Sequence, residues 1–135
     1  MGLRYLLDTN ILSDLVKQPA GAAARKIASL DDEKTCCTSL VVACELRYGA
    51  HKKGSATLSQ KVNQLLATIA VLPLNDDMAV HYAEIRVELE RMGQPIGSND
   101  LLIAAHARSQ GLTVVTANVK EFLRVPELTV ENWLE

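Results

Sequence analysis

Aromatic side chains are scarce in this 135-residue chain, at one Trp, three Tyr and one Phe. Its core must therefore be aliphatic, and no aromatic-rich RNA-binding motif can be read from it. A basic excess is also absent, since 14 Lys and Arg stand against 16 Asp and Glu for a net charge of −2. That balance argues against a generic nucleic-acid binder, which normally carries a large positive surplus. No run approaches the ~18 apolar residues of a membrane span, and the opening MGLRYLLDTN lacks the apolar core of a signal peptide. The expectation is a cytoplasmic protein without membrane attachment. Cysteine is limited to Cys36, Cys37 and Cys44, with no CxxC pair and no His at zinc-ligand spacing. Vicinal cysteines bridge poorly, so all three read as small buried apolar residues in a reducing compartment. Internal repeats, low-complexity tracts and linkers are missing too.

What is present is ordinary globular composition, 48% hydrophobic and 22% charged. It suits one compact domain over residues 1–135. Leu3–Leu7 reads as a short strand, followed by a helix that Thr9-Asn10 can cap and that runs to about Lys17 before Pro19. A second helix spans Ala20–Leu30. Thr35–Thr38 is β-leaning, and Ser39 caps a helix that ends at Gly54. Leu58, Val62, Leu65, Leu66 and Ile69 mark a helix within Ser55–Ala70, and Val71–Leu74 is a strand. Met78, Tyr82, Ile85, Leu89 and Met92 form the buried stripe of a long helix. Ser98 caps a helix over Asn99–Gln110, ended by Gly111. Leu112–Thr116 is a β-branched strand, and Leu128-Thr129-Val130 is strand-like. Strands separated by helices imply parallel pairing, so the fold class is α/β, a small parallel sheet with helices on both faces.

In such sheets ligands gather outside the carboxyl ends of the strands. Asp8 directly follows the first strand, where it is either a helix cap or a cation ligand. Glu45 interrupts the apolar Leu40–Leu46 run, so it requires an Arg partner or a metal. Asp100 lies in the first turn of its helix, a position the helix dipole favours in any case. Glu121 follows the Leu112–Thr116 strand, with the short polar groups Thr116 and Asn118 beside it. Taken singly, each has a purely structural explanation. Together, four carboxylates within a few Å need counter-charge to stay ionised, and hard divalent cations such as Mg²⁺ or Mn²⁺ are the natural source. A pair of such ions about 4 Å apart suits in-line displacement at phosphorus.

Four stretches carry a resemblance: Leu7-Asp8-Thr9-Asn10-Ile11-Leu12, Ala43-Cys44-Glu45-Leu46-Arg47-Tyr48-Gly49, Ile96–Ala107 with its Ser98-Asn99-Asp100 core, and Val115–Phe122. In this order and over essentially the whole chain they resemble the PIN-domain ribonucleases of the VapC toxin group. The resemblance implies a metal-dependent endoribonuclease acting on structured RNA such as tRNA, using one or two Mg²⁺ or Mn²⁺ ions and leaving a 5′-phosphate and a 3′-hydroxyl. Asp8, Glu45 and Asp100 match the three constant acidic positions of the family. The more variable fourth position can fall two residues after the strand threonine, here the neutral Asn118, so the fourth carboxylate passes to Glu121. Thr9, Asn10, Ser98, Thr116 and Asn118 match supporting polar positions. The resemblance also implies a homodimer and a small antitoxin whose C-terminal segment blocks the cleft with an Arg or Lys, operator DNA being contacted only through that partner.

Between Leu46 and Asn75 the chain has Arg47, Lys52, Lys53 and Lys61 but no acid. These bases form either a solvated helix face or an RNA-phosphate track beside Glu45. Asp31-Asp32 and Asp76-Asp77 read as turn and helix-start acids, and His51, His81 and His106 share no ligand spacing. A haloacid-dehalogenase-like phosphatase would need an acid where Asn10 stands, and a receiver domain would need a phosphoacceptor that Val71–Asn75 lacks. A non-catalytic PIN-like scaffold is the remaining alternative.

Overall fold

The computed structural model describes residues 2–134. Five strands form one fully parallel sheet: β1 (Tyr5–Leu7), β2 (Cys36–Ser39), β3 (Ala70–Leu72), β4 (Thr113–Val115) and β5 (Val130–Glu131), in the order β3-β2-β1-β4-β5. Tyr5 pairs with both Cys36 and Thr113, which puts β1 at the centre. Its Leu6 and Leu7 are fully buried, as a central strand of a doubly covered sheet requires.

Helices α1 (Thr9–Lys17), α2 (Ala22–Ala28), α3 (Leu40–Lys53) and α4 (Ala56–Thr68) connect β1 to β2 and β2 to β3. Both steps move the chain the same way across the sheet. Helices α5 (Asp76–Arg91) and α6 (Ser98–Ser109) then carry it back from β3 to β4, on the other side of β1. Because parallel crossovers are right-handed, the reversal places α5 and α6 on the opposite face. A four-residue helix α7 (Val119–Phe122) leads towards β5. The reversal also creates a topological switch point between β1 and β4, and the residues leaving those two strands are Asp8 and Thr116.

Local signals set most boundaries. Ser39, Ser55 and Asn75 each accept a backbone N–H at the start of α3, α4 and α5. Gly54 closes α3 with φ +65°, and Gly111 follows α6 with φ +67°, a left-handed conformation that glycine adopts without a Cβ penalty.

Some expectations require correction. The cap of α1 is Asp8 rather than Thr9-Asn10, because Asp8 Oδ1 accepts the Thr9 N–H at 2.8 Å. Gly97, not Ser98, occupies the cap position of α6, and no side chain caps it. The second helix is shorter than expected, and a 3₁₀ turn at Glu33–Thr35 precedes β2. The Met78–Leu89 stripe packs inward, but Met92 is 46% exposed because α5 has ended by then. Cys36 and Cys37 are buried, and burial pushes their thiols up to about 11 and about 12, away from thiolate chemistry. Cys44 is exposed on the outer side of α3.

Candidate active site

Each of the four carboxylates predicted from sequence reaches the carboxyl edge of the sheet from a different element. Asp8 leaves β1, Glu45 lies one and a half turns into α3, Asp100 is in the first turn of α6, and Glu121 is in α7. Asp8 is the most enclosed, at 3% exposure, and burial raises its pKa. Its charge is held by donors: Thr9 N–H on Oδ1, then Thr116 Oγ1–H at 2.8 Å and the Asn10 amide at 3.3 Å on Oδ2.

Thr116 is fully buried and acts as a junction between the two central strand ends. Besides donating to Asp8, its hydroxyl oxygen accepts from the Asn118 N–H at 2.9 Å and from the Asn10 amide at 3.3 Å. Asn10 Oδ1 in turn accepts the Ala117 N–H at 2.8 Å. Thr9, Asn10, Thr116 and Asn118 therefore all lie within the carboxylate network.

Asn118 joins the other half of the site, with its Nδ2 donating to Asp100 Oδ2 at 3.1 Å and to Glu121 Oε2 at 2.9 Å. Burial first, then the hydrogen-bonded Glu121 and the charges of Asp8 and Glu45, push Asp100 up to about 7. Glu121 moves the other way, lowered chiefly by its hydrogen bond with Asp100 and also by Asn118 and Arg124. The two titrate as a pair that shares one proton near neutrality.

Glu45 is half exposed, not enclosed as its apolar neighbours suggest. Val41, Val42, Ala43 and Leu46 turn towards the core while Glu45 lies on the adjoining face. It has no Arg partner. Its Oε1 accepts from Thr9 Oγ1 at 2.6 Å and its Oε2 from the Asn99 amide at 3.1 Å. Asn99 was not singled out by its sequence position, although it directly precedes Asp100. The available signal was an amide donor directly beside Asp100 in the helix's first turn.

Ser98 is exposed, bonds to none of the four acids, and lines a shallow cleft with Tyr82 and Arg86. The basic residues divide. Lys53 lines a groove of about 220 Å³ together with Thr9, Glu45 and Lys17. Arg47 instead donates to Asn63 on α4, Lys52 lies 5.8 Å from the Tyr48 ring centre, and Lys61 is exposed on α4.

Among the described residues, none of the four carboxylates forms an ion pair with Lys or Arg. Nor do three acids, histidines or cysteines already converge into a closed metal shell there. Amides and hydroxyls bridge the carboxylates pairwise instead. The donor set still fits a hard divalent cation: it is all oxygen, the charges of its neighbours add to burial in pushing Asp100 up to about 7, and among the described residues no Lys or Arg closes an ion pair with it.

Residues 5–128 match the family model described as PIN domain. The chain belongs to the PIN-domain family. Among its relatives are Ribonuclease VapC2 of Rickettsia felis, 37% identical over 96% of this chain and 97% of that one, and the tRNA(fMet)-specific endonuclease VapC of Shigella flexneri, 40% identical over 97% and 98%. The VapBC2 complex of Rickettsia felis, solved bound to a DNA fragment from its promoter, contains a chain that superposes on this PIN domain with a TM-score of 0.90. The two are 36% identical, covering 98% of this chain and 99% of that one. The relationship places the protein among the VapC proteins and sets aside the phosphatase and receiver alternatives.

Proposed function

We propose that this PIN domain is a divalent-cation-dependent endoribonuclease, the toxin of a toxin–antitoxin pair, and that Asp8, Glu45, Asp100 and Glu121 are its catalytic and metal-binding residues. The observation that carries this reading is the linking of four carboxylates from four elements at the β1/β4 switch point by five polar side chains, with no ion pair to Lys or Arg among the described residues. A merely structural cluster of acids would be costly, whereas a cation site needs that charge. Structured RNA such as a tRNA is the substrate class, in keeping with the name of the Shigella relative. A small antitoxin is the partner, with operator DNA contacted through it, as suggested by the DNA-bound VapBC complex.

Asp8, Asp100 and Glu45 would hold the first cation, Mg²⁺ or Mn²⁺, with Glu121 contributing to a second. When bound, such a cation supplies positive charge for the negative charge that develops on the phosphodiester, and it acidifies water. The protein's own part is orientation. Thr116, Thr9 and Asn10 fix which oxygens of Asp8 remain available, Asn99 and Thr9 turn Glu45 towards the cleft, and Asn118 keeps Asp100 and Glu121 side by side. Lys53 and Lys17, which line the groove shared with Thr9 and Glu45, are placed to meet a substrate phosphate. The net charge of −2 is no obstacle to this reading. Without the four site acids, 12 acids stand against 14 bases, so the surface left for RNA is mildly positive.

The test is incubation of the purified chain with bulk tRNA and total RNA in Mg²⁺, in Mn²⁺ and in chelator. Cation-dependent fragments with 5′-phosphate and 3′-hydroxyl ends are expected. Undiminished cleavage in chelator would refute the mechanism, and failure to cut any RNA would favour a binding scaffold.

A further inference from the structure

His106 is fully buried in α6, yet it lies outside the carboxylate network. Its Nδ1 is 2.8 Å from Ser39 Oγ, which is also fully buried. Ser39 closes β2 and caps α3, accepting the Val41 N–H at 3.1 Å. The other ring nitrogen, Nε2, is enclosed with no hydrogen-bond partner among the described residues, and the Pro73 backbone lies beside the ring. Burial lowers the ring's pKa, so it is neutral. Because the Ser39 hydroxyl oxygen already accepts the Val41 N–H, its proton is free for Nδ1, and Ser39 uses its hydroxyl as acceptor and donor at once.

The second polar link between these two helices is the Asn99 amide on Glu45 Oε2. Asn99 and His106 are seven positions apart on α6, which puts them on one helix face about 10 Å from each other. On α3 the order is reversed, with Ser39 at the start opposite His106 and Glu45 further along opposite Asn99. The helices thus run in opposite senses, held at two points. One is fully enclosed. The other is exposed and belongs to the active site.

We infer that His106 is a positioning residue: its bond to Ser39 fixes the axial register of α6 on α3, and so sets Asn99 and Asp100 opposite Glu45. The enclosed bond is shielded from bulk water, so it determines the register more firmly than the exposed one. Among the described residues no other side-chain hydrogen bond joins α3 and α6; the polar ties of Arg108 to His81 Nδ1 at 2.8 Å and to Glu84 Oε1 at 2.6 Å hold α6 on α5, not on α3. The Leu, Ile and Ala residues of α6 pack by shape, whereas a hydrogen bond to one oxygen specifies a single alignment. The inference rests on the proposed active site only for its consequence, since the register itself exists without a cation.

The test uses His106→Leu, which keeps volume but removes the bond, His106→Asn, whose amide reaches the place of Nδ1, and Ser39→Ala. The first readout is the Asn99 side-chain amide resonance of the cation-free protein. It should shift in H106L and S39A and return towards its original position in H106N. The second is Mn²⁺ affinity by calorimetry, expected to fall about 10- to 100-fold in H106L and S39A, with H106N recovering most of it. An S39A/H106L double variant should lose little beyond S39A alone, because S39A has already removed the bond to His106 along with the cap on Val41. If H106L does not fold, S39A decides. An unchanged Asn99 resonance in a folded S39A or H106L protein overturns the inference, as does H106N behaving like H106L. A shifted resonance in a protein whose unsubstituted form binds no Mn²⁺ supports the clamp and refutes the nuclease reading instead.

Discussion

Asn118 Nδ2 donates to Asp100 Oδ2 at 3.1 Å, and the same nitrogen bridges on to Glu121. A neutral amide thus occupies the centre of a negatively charged site, and it allows two carboxylates to sit together without a cation. Asn118→Asp removes that donor and adds a like charge. In chelator the variant should be destabilised by about 1–3 kcal/mol relative to the original protein. Mn²⁺ should restore more stability to it than to the original. Urea unfolding with and without Mn²⁺ measures both effects.

Asp100 gives the pH dependence its sign. Its pKa rises from 3.8 unfolded to about 7 folded, so the folded cation-free protein binds the extra proton in this window. Stability from this group therefore falls as pH rises from about 4 to about 7. Glu121 acts oppositely and lower down: its depressed pKa contributes stability above the ordinary carboxylate value, lost as pH falls below it. In chelator, melting temperature should thus decline between pH 5 and pH 7, and a saturating divalent cation should remove the decline. Because binding releases the Asp100 proton, Mg²⁺ affinity should weaken below pH 7. A melting temperature that is flat over this range in chelator would contradict the assignment.

Thr116→Val tests the buried junction. The change keeps shape but takes a donor from Asp8 and an acceptor from the Asn118 N–H and the Asn10 amide. A loss of about 1–3 kcal/mol in urea unfolding is expected, together with weaker Mn²⁺ binding.

Lys53 and Lys61 separate the two readings of the basic segment. Lys53→Ala should weaken RNA binding and lower the slope of log affinity against log salt by about 1. Lys61→Ala should change neither, because that side chain does not line the Glu45 groove, although Leu58 and Val62 of the same helix do. Filter binding in chelator, over a salt series, distinguishes them without cleavage.

The sheet, its parallel sense and the placement of the four candidate carboxylates at one sheet edge were legible in the sequence because strand ends and helix starts leave local marks. Asp8 and Thr116 each follow an apolar run, and Asp100 follows a loop containing Pro95 and Gly97. What was not legible depends on rotation about helix axes. Glu45 has apolar neighbours, yet α3 turns those into the core and leaves the carboxylate half open. Cys44 faces outward for the same reason. Asn99 became visible as a site residue only once α3 and α6 were known to meet, and Ser98, at the neighbouring position, points into a different cleft. Met92 broke the α5 stripe because periodicity does not say where a helix stops.

The most direct measurement is RNA cleavage by Asp100→Asn beside the original protein in saturating Mg²⁺, with folding checked by thermal melting. The substitution keeps the shape and one oxygen but removes the charge. The account predicts a folded variant, at least as stable in chelator as the original, with cleavage reduced at least about a hundredfold. A folded Asp100→Asn protein that cuts RNA at the original rate would contradict it.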